Sequence, residues 1–172
     1  TFEMAYAAFT ENDWGANGRF LYALAPWYAL QITQDQLTGF PSDAKALVEV
    51  FDNDSTNDHR MAIDLFGTIG IPATEKDLLL VRSDTLNGYV HLANHGLPNT
   101  TGAFDALDYY AYYSLLDALS DYAWNGNLAG KDVALGAGST AQTTMPPGMK
   151  PLVETHTPVP AGHDRFSTEQ AY

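Results

Sequence analysis

Two apolar runs, Ala46-Leu-Val-Glu-Val-Phe51 and Leu78-Leu-Leu-Val81, punctuate the middle of the chain. Short runs of this kind, rich in Val and Leu, predict strands buried on both faces. Between them the period changes. From Asn57 to Ile69 the apolar residues Met61, Ala62, Leu65, Phe66 and Ile69 recur at helical spacing, with Asp58 in the first turn and Gly67 and Gly70 near the end. This predicts an amphipathic helix packed on a sheet. Strand, helix, strand is a βαβ unit, and a right-handed crossover sets the two strands parallel. Further on, Asn99-Thr-Thr101 offers a helix cap, and Phe104, Leu107, Ala111, Leu115, Leu119 and Tyr122 form one stripe down to Asn125-Gly126. That stripe predicts a long closing helix.

The flanks carry weaker patterns. Residues 1–18 mix aromatics with acids and predict a helix closed by Gly15 and Gly18. The run Phe20-Leu-Tyr-Ala-Leu-Ala-Pro-Trp-Tyr-Ala-Leu30 is too short to span a membrane and is broken by Pro26; it fits either a strand that ends in a turn at the proline or two short helical pieces, and helix on either side is the expectation. Beyond Gly130 the chain turns to Gly, Pro, Ser and Thr, which predicts an extended tail without a core of its own. Three parts result: residues 1–43, helical or irregular and suited to a cap or pocket wall; residues 44–130, two sheet strands with flanking helices; and the tail, 131–172. No internal repeat is visible.

Composition narrows the partners. With 172 residues, 45 % of them hydrophobic, the chain suffices for one globular domain. Eight Lys and Arg against 21 Asp and Glu give a formal charge of −13, which repels phosphate backbones and argues against nucleic acid. Cysteine is absent, which removes disulfides, a thiolate nucleophile and cysteine-based zinc sites. The chain starts at Thr1 without an initiator Met or a basic signal-peptide region, so an N-terminus set by cleavage, or by where the chain was delimited, is expected.

The first strand runs into an acid cluster, Asp52-Asn-Asp54-Ser-Thr-Asn-Asp58, and the second leads to Gly88-Tyr-Val-His91-Leu-Ala-Asn-His95-Gly-Leu-Pro98. An aspartate past one buried strand and a histidine past the next is how acid and base of a Ser-His-Asp machine sit at the carboxyl edge of an open α/β sheet. Asp54 and His95 fit those roles. Asp54 is three residues past the last hydrophobe of its strand, whereas Asp58 suits a helix start; Asp52 also competes. His95 precedes Gly96 and a turn at Pro98, while His91 lies in an alternating stretch that predicts strand pairing. The plainer reading makes Asp54 a helix cap and His95 an ordinary loop histidine. Metals are disfavoured: His91 and His95 are four apart, but Leu92 stands where zinc hydrolases need Glu. The Asp52-x-Asp54-x-Thr56-x-Asp58 spacing has Asn57 at the calcium-loop glycine and Ile63 at the twelfth position, which leaves only an irregular calcium site open. Trp27 and Tyr28 are candidates for a substrate-binding wall; Tyr109-Tyr-Ala-Tyr-Tyr113 reads better as helix-surface packing.

Val50 to Phe66, Ala93-Asn-His-Gly-Leu-Pro98 and Asp105 to Leu119 resemble the C-terminal half of α/β-hydrolases of the bacterial, often exported, esterase and lipase type, over about residues 20–130. The resemblance implies an α/β fold in which Ala46–Phe51 and Leu78–Val81 are the last two strands of a parallel sheet, Asp54 the triad acid and His95 the base. It implies no cofactor, a small ester substrate and a secreted or periplasmic setting. No Gly-x-Ser-x-Gly occurs. The nucleophilic serine, the oxyanion donors and the remaining strands are therefore expected on a companion fragment. Two rivals remain: an N-terminal threonine hydrolase using Thr1, and a non-catalytic domain that binds a partner or a glycan through its aromatics.

Overall fold

The computed structural model of the chain describes residues 2–27, 32–99 and 104–154. Within them, α1 (Phe2–Tyr6) runs on through a π turn to Glu11, and β1 (Phe20–Leu24), α2 (Gln34–Thr38) and β2 (Lys45–Phe51) follow. Then come α3 (His59–Thr68), β3 (Lys76–Val81), and a hairpin of β4 (Asp84–Leu86) and β5 (Tyr89–His91). The second half comprises α4 (Ala106–Asp108), a π turn (Tyr109–Tyr113), α5 (Ser114–Asn125), α6 (Leu128–Ala134), α7 (Thr140–Thr143) and β6 (Val153–Glu154).

The sheet order is β1-β2-β3-β6. Strands β1, β2 and β3 are parallel and β6 is antiparallel to β3, so the fold is mixed α/β with a four-stranded, mostly parallel sheet. Side-chain alternation sorts residues to two faces. Leu21, Ala23, Ala46, Val48, Val50, Leu78 and Leu80 join Ala62, Leu65 and Phe66 of α3 in one core; Leu47, Phe51, Leu79 and Val81 join Leu107, Leu115 and Leu119 of the long helix in the other. With both faces covered, β2 and β3 are buried along almost their whole length, which is why they read as continuous apolar runs.

Three expectations need correction. Residues 20–24 form a parallel strand and not helix, because Leu21 and Ala23 alternate onto one core while Phe20, Tyr22 and Leu24 pack against the other, and Pro26 falls after the strand where no ladder donor is needed. The long helix is capped by Asp105, whose carboxylate accepts from Leu107 N–H at 2.8 Å; Asn99 ends a separate short turn, and Thr100 and Thr101 lie outside the described residues. Residues 131–154 are no extended tail. Caps at Asn127 and Ser139 start short helices, and Ala134, Leu135, Met145 and Leu152 enter the second core. Buried Gln142 donates to Asp77 of β3 at 2.7 Å and ties that segment to the sheet. Residues 155–172 are outside the described part.

The closing helix ends as its sequence predicts, with Gly126 at φ +68°, a left-handed conformation in which glycine carries no Cβ penalty. No described helix is long and apolar enough to cross a membrane.

Candidate active site

Because β1, β2 and β3 are parallel, their carboxyl ends lie along one edge, and the two loops that carry Asp54 and His95 leave from that edge. The turn after β2 folds on itself: Asp54 Oδ1 accepts the backbone N–H groups of Thr56 at 2.7 Å and Asn57 at 3.0 Å. This is the local chemistry that makes Asp common in tight turns. The second oxygen, Oδ2, lies 3.0 Å from His95 Nδ1. Asp54 has no exposed side-chain surface, whereas the His95 side chain keeps 42 % of its own. The ring borders an open cleft of about 460 Å³ whose other lining residues are Asn53, Ser55, Thr56, Asn94 and Gly96.

The two loops are knitted by contacts that involve neither residue directly. Asp52 Oδ1 accepts from Ser83 N–H at 2.9 Å and from Ser83 Oγ–H at 2.7 Å. Ser83 Oγ in turn accepts from Ala93 N–H at 3.0 Å, and Asn53 N–H donates to the Ala93 carbonyl at 3.0 Å. So Asp52 spans the two strand ends instead of meeting a histidine. Asp58 caps α3 through Arg60 N–H and pairs with the Arg60 guanidinium. Burial pushes the Asp58 carboxyl up, but those Arg60 contacts outweigh it and hold it below its usual range. The cap role that the plainer reading gave Asp54 thus falls to Asp58, and Asp54 is left facing His95.

His91 is only 7 % exposed, with its Nδ1 3.0 Å from Asp105 Oδ2 at an angle poor for a hydrogen bond. It lies in β5 opposite Asp84 of β4, with Tyr89 edge-on to its ring. The contact joins the hairpin to the start of the closing helix. Trp27 is exposed just past β1 and does not line the His95 cleft; Tyr28 and Thr1 are outside the described residues. Of the tyrosine cluster, Tyr112 stacks on Tyr22, while Tyr109 and Tyr113 are exposed beside Phe20 and Trp124. Among the described residues no three of His, Asp and Glu converge as a metal cage.

One polar group in the core has no counterpart in the sequence reading. Glu49 sits on the β2 face shared by Leu47 and Phe51, is fully buried, and accepts from Tyr22 O–H at 2.7 Å through Oε1. Its Oε2 meets no donor among the described residues. Burial drives the Glu49 carboxyl up to about 8, the Tyr22 hydrogen bond opposing it, and the Tyr22 hydroxyl is itself pushed well above its ordinary value by burial and by Glu49. The folded protein therefore holds a proton that the unfolded chain, with a carboxyl near 4.5, releases. This contribution to stability is full at and below about pH 4.5, falls as pH rises to about 8, and is flat beyond. Glu49→Gln should remove that slope. Melting curves from pH 4.5 to 8.5 are expected to show the variant gaining on the parent by a few kcal/mol at the alkaline end; a constant difference across the range would contradict a buried neutral acid.

Compared with protein-family models, with curated proteins and with solved structures, the chain matches none.

Proposed function

We propose that this chain is the acid-and-base half of a serine hydrolase of α/β-hydrolase type, acting on carboxylic esters together with a companion polypeptide that carries the serine. The observation that carries this reading is the Asp54–His95 pair, a wholly buried carboxylate 3.0 Å from the Nδ1 of a half-exposed imidazole at the carboxyl edge of three parallel strands. With two backbone N–H groups on Oδ1, the carboxylate presents Oδ2 as an acceptor to Nδ1–H. That tautomer leaves Nε2 with a lone pair, the form a general base needs.

In this mechanism a serine hydroxyl held at Nε2 gives its proton to His95 as Oγ bonds to the ester carbonyl carbon. The tetrahedral oxyanion collapses, the bond to the alcohol oxygen breaks, and His95 returns the proton to the leaving alkoxide. Water repeats the sequence on the acyl-enzyme. Oxyanion donors come from the companion.

Two features of the fold support a companion. The described residues pair only one side of β1, and a parallel strand with an open edge leaves unsatisfied N–H and C=O groups. Beside that edge Phe20, Tyr109, Tyr113 and Trp124 line a groove, with Tyr109 60 % and Trp124 62 % exposed. Intact masses of the purified protein under native and denaturing conditions, paired with p-nitrophenyl ester turnover, test the reading. Two chains that separate only on denaturation, and turnover confined to the complex, are expected. A lone monomer of this chain with a sharp cooperative melt would contradict the two-fragment assembly.

A further inference from the structure

Between Asp54 and the helix cap Asp58 lies Asn57, 8 % exposed in a turn whose Ser55 and Thr56 are open to solvent. Buried amides are held by specific partners. Here the side-chain Nδ2 donates to the carbonyl of Ala25 at 2.5 Å, across 32 positions of sequence, while the backbone N–H of the same residue donates to Asp54 Oδ1 at 3.0 Å. One residue thus touches both the end of β1 and the carboxylate.

The acceptor is itself unusual. Ala25 has φ +42°, a left-handed conformation that costs an alanine energy and persists where the surroundings enforce it. Its N–H stays in register, donating to the Glu49 carbonyl at 2.8 Å, while its own carbonyl meets Asn57. Other anchors of the acid turn run towards β3, Asp52 to Ser83 and Asn53 to Ala93, while His59 Nε2 lies 2.9 Å from the Phe51 carbonyl at the end of β2. Asp54 is suspended between them, and among the described hydrogen bonds Asn57 alone ties the turn to β1.

We propose that Asn57 is a positioning residue for the Asp54–His95 pair, its amide bridging to Ala25 so that the Asp54 carboxylate is presented to His95 Nδ1. The inference rests on the reading of His95 as a general base. Without the amide the turn loses its described tie to β1, and Asp54 Oδ2 is freer to leave the Nδ1–H line. Small displacements of a group that orients a base are costly in rate and leave ground-state binding nearly untouched.

The test uses the assembled protein and two readouts, steady-state ester kinetics and the tautomer of His95 from long-range ¹H–¹⁵N spectra of the imidazole rings. Asn57→Ala is expected to lower kcat by about 10- to 100-fold with KM within about twofold, and to turn a single Nδ1–H form of His95 into a mixture. Asp58→Ala serves as the structural control: it removes a helix cap in the same turn and should lower the melting temperature while leaving kcat within about threefold and the tautomer unchanged. If Asn57→Ala does not fold, Asn57→Leu, which fills the site with neither a donor nor a charge, is read in the same way. An unchanged tautomer, or a kcat loss no larger than that of Asp58→Ala, overturns the positioning role. A parent protein in which His95 is not in the Nδ1–H form overturns the base assignment itself, and the bridge with it.

Discussion

Replacing His95 with alanine is expected to cut ester turnover by about three orders of magnitude or more and to leave the fold in place. The ring keeps 42 % of its side-chain surface exposed and the two loops around it are fastened by Asp52, Asn53, Ser83 and Ala93, so little packing is lost with it. On the proposed mechanism, what disappears is the proton acceptor for the attacking serine. His91→Ala is the informative contrast. That ring is buried between Tyr89 and Asp105, so its loss should appear as a lower melting temperature with turnover within about tenfold of the parent. Equal losses of turnover in the two variants, or a larger one at His91, would reverse the assignment of the base.

Asp54→Asn is expected to lower turnover by up to about 10⁴-fold, and the surroundings of the carboxylate say why. Thr56 and Asn57 both direct N–H groups at Oδ1, so an asparagine must turn its carbonyl oxygen to that side. Its NH₂ then faces His95. A donor on that side makes Nδ1 the acceptor, moves the ring proton to Nε2, and takes away the lone pair that the proposed serine would use. The loss should appear in kcat, and the ring spectra should show the Nε2–H form. An Asp54→Asn enzyme within tenfold of the parent would remove Asp54 from the mechanism.

Much of the framework was legible because burial on both faces leaves a plain signature. The runs at 46–51 and 78–81 and the helical spacing of Met61, Ala62, Leu65 and Phe66 each lie within one residue or two of the observed elements. The juxtaposition of Asp54 with His95 was legible for the same reason: parallel strands bring their following loops to one edge. The paired state of His91 also followed from alternation. Strand β1 was legible only as one of two alternatives, since five residues that include Tyr22 and Ala23 give periodicity too little length to separate a strand ending before Pro26 from a helix broken by it. Nor was the packing of residues 131–154, where Gly and Pro between Leu135, Met145 and Leu152 mask a segment that docks on an existing core. The Asn57 bridge, the Ser83 tie and the Glu49–Tyr22 pair depend on residues dozens of positions apart, and no local pattern announces them.

A fluorophosphonate probe reads the central claim directly, because it marks a serine only where a base has activated it. Applied to the active preparation and mapped by peptide mass spectrometry, the label is expected on a serine of the companion polypeptide, and absent when His95 is alanine. Label on Ser55, which lines the His95 cleft, would place the nucleophile in this chain and contradict the division of the triad between two polypeptides. Label on Thr1, or on no residue of a preparation that hydrolyses esters, would contradict the serine-hydrolase account altogether.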